Sequence, residues 1–189
     1  MNCARDRERG PQATVGHRRG DAQHAIRPAG DEGNSWTDGR KNGLWGTFMA
    51  GGWGNEWYFG YSHAHSDLTL QDFRSRDGWF DYCRFALEFF NNNNIPFWEM
   101  TNDNDISSAN DDYCFYKHNE VYVVYLKNGG STNLNLSNVN NTFQVQWYDP
   151  GNGGILQNGS VTTVTGSGNL NLGNAPYNPT SDWVILVRR

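Results

Sequence analysis

The sequence has no apolar run close to the roughly 18 residues needed to cross a bilayer, so no membrane partner is expected. Charged residues are scarce, at 19% of 189 residues, and the net charge is −5. The few basic residues are not interleaved with aromatics along a stripe, which argues against nucleic acid as a partner. There are only 3 cysteines. They show neither a CxxC pair nor Cys/His spacing, and an odd number cannot all pair within the chain. No metal or cofactor motif is therefore expected. Cys83 reads as a small apolar residue on a helix and Cys114 as one on a strand. Residues 1–19 have no apolar h-region, so no secretory signal is visible.

The chain is rich in rings and turns, with 8 Trp, 9 Tyr, 10 Phe and 22 Gly beside many Asn. That mixture suits turn-rich β structure and carbohydrate-facing surfaces, where flat rings stack on sugars; it suits ordinary β cores equally well. Charge is uneven. Arg5, Arg7, Arg9, Arg18 and Arg19 face Asp6 and Glu8 in residues 1–20, a net +3, leaving −8 for the remainder. These twenty residues lack apolar periodicity and read as an irregular leader or, functionally, as a basic arm.

Residues 21–37 form a polar loop. Asp38 is placed to cap a helix over Arg40 to Met49, where Leu44, Trp45, Phe48 and Met49 fall at helical spacing. Gly51-Gly52 ends it, and Asn55 to Tyr61 reads as a buried, Gly-bounded strand. A second helix is expected over Ser75 to Asn91, with Ser75 as N-cap and Trp79, Phe80, Cys83, Leu87 and Phe90 as its apolar stripe. Beyond a boundary near Asn102 to Asn110 the texture changes. Seven short strands are predicted, at Tyr113–Tyr116, Val121–Lys127, Thr132–Leu136, Phe143–Tyr148, Val161–Thr165, Asn169–Leu172 and Trp183–Arg188. Gly/Asn turns separate them, the pattern of an antiparallel sandwich. Val121, Val123 and Tyr125 alternate with Tyr122, Val124 and Leu126, so that strand should be central, with both faces buried.

The string "DGRKNGLWGTFMAGGWGNEWYFGYSHAHSDLTLQDFRSRD", followed by "WFDYCRFALEFF" and "IPFWEM", resembles the closing part of the apiosidase-like glycoside hydrolases, bacterial enzymes with a (β/α)8 catalytic barrel. "VYVVYLKNGG" through "QWYDPGNGG" to "DWVILVRR" resembles the β-sandwich that follows that barrel, known as a collagen-binding domain of a collagenase. The resemblance runs from about Gly20 to Arg189. It implies an α+β chain: residues 1–20 a leader whose mismatch suits a shifted reading frame, 21–101 the last βα units of a TIM-like barrel, and 102–189 the antiparallel β-sandwich. A full barrel takes about 250 residues, whereas only about 90 precede the sandwich here. The family's acidic pair at a strand end is replaced by "VGHRRG", Val15 to Gly20. One catalytic carboxylate and most of the barrel are thus missing, and whether the chain is itself an enzyme is left open.

On this mapping Glu56 sits where the eighth strand delivers a side chain to the active-site face of a barrel; the plainer reading is a buried, hydrogen-bonded carboxylate. Trp53 and Trp57 could stack on a sugar or belong to the core. His63, His65 and Asp67 lie on the following loop, suited to substrate contact rather than to a metal. Asp31, Glu32 and Asp38 read as loop acids and a cap. Asp103, Asp105, Asp111 and Asp112 do not fit an EF-hand spacing and read as linker acids, while Trp147 and Trp183 read as core.

The function implied is the C-terminal fragment of a carbohydrate-degrading hydrolase, inactive alone. Its sandwich would support the barrel, and polysaccharide or glycoside would be bound through the parent barrel. The alternative is a carbohydrate- or collagen-binding module without activity, though no extended basic or aromatic groove supports collagen. A parent of this kind is expected to be secreted or periplasmic.

Overall fold

The structure, a computed structural model, describes residues 36–52, 54–55, 74, 77–109 and 111–189. The leader, Ser75 and, apart from Asn55, the strand expected over Asn55 to Tyr61 lie outside the described residues.

Helix α1 is a continuous helical run made of Trp36–Asp38, a π-helical stretch Gly39–Trp45, and Gly46–Met49. Because it begins at Trp36, Asp38 does not cap it. Asp38 has helical dihedrals (φ −63°, ψ −42°) and its side chain makes no capping bond. The wider i→i+5 turn of a π-helix lets residues four and five apart share a face. Arg40, Leu44 and Trp45 are accordingly all buried against the rest of the molecule.

Helix α2 spans Asp77–Asn92. Its buried residues are Trp79, Ala86, Phe89 and Phe90, with Tyr82, Cys83 and Phe85 half-buried against the same core. Two members of the expected stripe are exposed instead, Phe80 at 48% and Leu87 at 54%. At about 100° per residue, those two lie on a flank. Phe89, on the opposite flank, meets Tyr148 with ring centroids 5.0 Å apart and draws the buried face towards itself.

The strands follow: β1 Thr101–Asn102, β2 Asp112–Lys117, β3 Val121–Leu126, β4 Asn133–Asn135, β5 Thr142–Tyr148, β6 Thr163–Thr165, β7 Asn169–Asn171 and β8 Trp183–Arg188. Short 3-10 turns occupy Phe97–Glu99 and Asn104–Ile106. The main sheet has six strands in the order β1-β2-β3-β8-β5-β6; β4 and β7 form a second, two-stranded sheet. Every pairing is antiparallel.

β3 and β8 sit at the centre, paired from Val121↔Arg188 to Leu126↔Trp183. Alternate side chains of a strand point to opposite faces, so an unbroken apolar run means that both faces are covered. Val121, Val123, Tyr125, Val184 and Leu186 pack with the helices. Tyr122, Val124, Leu126, Ile185 and Val187 pack with Leu134, Leu136 and Leu172 from the small sheet and its flanks. The β part is thus a mostly antiparallel sandwich with a narrow second sheet, and the helices form a third layer over its other face. Trp147 and Trp183 are fully buried in the sandwich core, as expected.

Candidate functional site

Glu56, Trp53, Trp57, His63, His65 and Asp67, the catalytic and substrate-contact candidates, lie outside the described residues, as do Asp31 and Glu32. Among the described residues no group of three or more His, Cys, Asp or Glu side chains could hold a metal ion. Of the expected linker acids, Asp103 accepts from Asp105 N–H at 3.0 Å at the start of a 3-10 turn. Asp111 accepts from Asn128 Nδ2 at 2.9 Å. Asp112 departs from that reading: it is the first residue of β2 and only 4% exposed. Its Oδ2 has no hydrogen-bond partner among the described residues. Burial pushes its pKa up to about 6, helped by the Asp111 charge and opposed by Thr132.

The main polar constellation lies at the seam between the helices and the sheet. Arg40 of α1 reaches across to Asp182, which immediately precedes β8. Nε donates to Oδ2 at 3.0 Å and Nη2 to Oδ1 at 2.6 Å, the bidentate fork that suits guanidinium to carboxylate. Tyr125 Oη donates to the same Oδ2 at 2.9 Å, and Lys41 Nζ stands 4.0 Å from Oδ1. The Arg40 guanidinium also lies over the Tyr82 ring of α2, 4.7 Å from its centroid. Burial opposes the Arg40 charge, but the Asp182 hydrogen bonds and charge more than offset it, so its pKa rises above the usual value. Burial, then the Asp182 charge, raises that of the Tyr125 hydroxyl.

Beside this pair stands a second carboxylate, Asp149, at the end of β5. Its Oδ1 accepts from Gly151 N–H at 2.8 Å and Asn152 N–H at 3.0 Å. Its Oδ2 accepts from Asn152 Nδ2 and Tyr177 Oη, each at 2.8 Å. Burial alone would raise its pKa; these four donors outweigh it, and the carboxyl is held below its ordinary value. The Tyr177 ring packs edge-on against Trp183, with centroids 4.9 Å apart.

Arg40, Tyr82, Asp149, Tyr177, Asp182 and Trp183, with the turn residues around them, line a polar cavity of about 180 Å³. Both carboxylates are engaged by the fold, Asp182 by the Arg40 fork and the Tyr125 hydroxyl and Asp149 by its four donors. Sequence reasoning missed this cavity. Asp149-Pro150-Gly151 read as a turn, and Arg40 and Asp182 are 142 residues apart, a pairing that no local pattern encodes.

Residues 95–188, which hold all eight strands, match the family model described as "Putative collagen-binding domain of a collagenase". No curated protein matches the sequence. Among solved structures, the chain is similar to a glycoside hydrolase family 5 protein from Bacteroides vulgatus ATCC 8482, with a TM-score of 0.61 and 18% identity. That likeness covers 82% of this chain and 36% of the neighbour. It is also similar to a structure described as a glycoside hydrolase, with a TM-score of 0.59 and 16% identity over 87% of this chain and 40% of that one. The chain therefore spans well under half the length of these neighbours, and at such identities the likeness establishes the fold.

Proposed function

We propose that the chain is the C-terminal portion of an apiosidase-like glycoside hydrolase, in which α1 and α2 belong to a (β/α)8 barrel and the sandwich props that barrel from one side. The observation that carries this reading is the seam. α1 and α2 share one continuous core with the sheet, Trp45 stacking on Tyr125 at 5.5 Å, and the Arg40–Asp182 pair is buried beneath. A tethered binding module would have no need of such an interface, since inter-domain contacts that permit movement are smaller and more polar. The greater length of the glycoside hydrolase neighbours supports the same view.

The flank of α2 that carries Phe80 and Leu87, with Phe48, Phe90, Phe97 and Phe115 in the adjoining groove, is the face left for the rest of the barrel. In the assembled protein Glu56 would be the catalytic carboxylate contributed by this part. Trp53, Trp57, His63, His65 and Asp67 would line the cleft for a polysaccharide or glycoside, and the parent protein would be secreted or periplasmic. Retaining hydrolysis requires two carboxyl groups about 5 Å apart, and where the family has its acidic pair this sequence has Val15 to Gly20 without a carboxylate. The purified chain should release nothing above background from aryl glycosides or plant polysaccharides. Turnover that Glu56→Gln abolishes would overturn the reading and make this portion a self-sufficient enzyme. The family description of residues 95–188 keeps a second reading open, a collagen- or carbohydrate-binding module. Saturable binding of the chain to immobilised collagen or polysaccharide would favour it.

A further inference from the structure

The sequence holds four Asn-Gly pairs, beginning at Asn42, Asn128, Asn152 and Asn158. Such a pair can react with itself, because a glycine has no Cβ to hinder its own backbone nitrogen as it approaches the asparagine amide. The fold treats the four differently. Asn42 and Gly43 lie inside α1, where the helical ladder holds the backbone. Gly129 N–H donates to the Leu126 carbonyl at 3.3 Å, and the Asn128 amide donates to Asp111. Gly153 N–H donates to the Asp149 carbonyl at 2.9 Å, and the Asn152 amide donates to the Asp149 carboxylate. At the fourth pair neither group is held. Asn158 is exposed, and neither its side chain nor the Gly159 N–H makes a hydrogen bond among the described residues. Both flanks are anchored: Gln157 exchanges two backbone bonds with Trp147, and Ser160 N–H donates to the Asn174 carbonyl at 3.0 Å. A Cβ on Gly159 would overlap the Trp147 indole nitrogen and the Asn174 carbonyl oxygen. The backbone has no room there for an extra atom.

We infer that Asn158 is a spontaneous modification site of the folded protein, at which deamidation lengthens the backbone beside Trp147. The Gly159 nitrogen gives up its proton and bonds to Asn158 Cγ. The Cγ–Nδ2 bond breaks, and ammonia leaves with that proton, closing a five-membered imide. Water then opens the ring. Cleavage between Gly159 N and Cγ yields aspartate; cleavage between Gly159 N and the Asn158 main-chain carbonyl carbon yields isoaspartate, whose backbone runs through Cβ and Cγ. Nothing is oxidised or reduced. Either product places a carboxylate at an exposed point, but only isoaspartate pushes an added backbone atom into the contact with Trp147.

The test is to hold the purified chain for weeks in mildly alkaline buffer, with and without urea, and to follow each Asn-Gly pair by peptide mass spectrometry, with isoaspartate counted by enzymatic methylation. In the folded chain Asn158 should react about tenfold faster than the other three, each of which must first open a hydrogen-bonded segment. In urea the four rates should converge. Equal rates in the folded chain, or a lead by another pair, overturn the inference. The aged, isoaspartate-rich protein should melt below the Asn158→Asp variant and show shifted tryptophan emission, since that variant adds the charge without the backbone atom. Coincident melts overturn the link to Trp147. Asn158→Ser removes no hydrogen bond of the fold and should age without either change; if it shifts as the parent does, the altered residue lies elsewhere and the inference fails.

Discussion

The two faces of the six-stranded sheet are covered by different means. On one, Trp147, Trp183, Phe143 and the aliphatic residues of β3 and β8 close against Leu134, Leu136 and Leu172, all supplied by residues 112–187. On the other, the cover comes from α1 and α2, and a bidentate ion pair is buried in the contact. The first face is held by shape and area, which are tolerant of where a partner comes from. The second is held by a pairing that specifies one position for α1. An ion pair buried this way adds little net stability over an apolar substitute, but breaking half of it is costly. The helical cover is therefore in a fixed register.

The largest effect should come from the apolar face. Trp147→Ala removes the biggest buried side chain of β5, which packs edge-on to Trp183 at 6.0 Å. A loss of about 4 kcal/mol is expected, visible as a lower midpoint in urea denaturation. A loss below about 1 kcal/mol would mean that the sandwich is not the stable half of the molecule.

Next comes the seam. Arg40→Ala leaves Asp182 buried with the Tyr125 hydroxyl and without its guanidinium, which should cost about 3 kcal/mol. Arg40→Met combined with Asp182→Leu removes both charges and should return to within about 1 kcal/mol of the parent. If the single and double variants cost the same, the pair is not a pair in energetic terms and the contrast between the two faces fails.

The apolar face has one charged exception, Asp112. Its pKa is raised to about 6 by burial, so the folded state favours the protonated form more than the unfolded chain does. The penalty for ionising it is absent below about pH 4, grows as pH rises, and is complete above about pH 6. Asp112→Asn should therefore stabilise the protein by about 2 kcal/mol at pH 7.5 or so and have no effect near pH 3.5 or so. Thermal melts across that range would show it. An effect of the same size at both ends would mean that packing, not charge, decides at this position.

How much of this was legible in the sequence follows from range. The seven strands were readable because alternation and Gly/Asn turns are local signals. Trp183–Arg188, for instance, appears at the residues expected. β1 was missed because two residues carry no pattern. The helix over Asp77–Asn92 was readable from its period, but its buried face was not. Which flank is covered depends on where Tyr148 and Phe85 meet, and they lie 63 residues apart. Asp112 reads as a linker acid in the sequence because nothing in its neighbours announces burial. The cavity was illegible for the same reason: its parts come from α1, α2, the end of β5 and the approach to β8, and only the fold brings them together.

The smallest expected effect concerns a single hydrogen bond across the seam. Tyr148 Oη, at the end of β5, donates to the backbone carbonyl of Phe85 in α2 at 2.8 Å. That carbonyl already accepts the N–H of Phe89 within the helix, as i→i−4 geometry requires. It therefore loses an extra donor but is not orphaned when the hydroxyl goes. Tyr148→Phe keeps the ring and its contact with Phe89, and should cost about 1 kcal/mol, the net worth of one such bond. The discriminating readout is local. If the helical cover is held to the sheet through specific polar contacts, hydrogen exchange in α2 should quicken in Tyr148→Phe while β3 and β8 stay as slow as before. Equal acceleration in helix and sheet would mean that the two layers open as one cooperative unit, and that the ion pair alone gives the seam its distinct character.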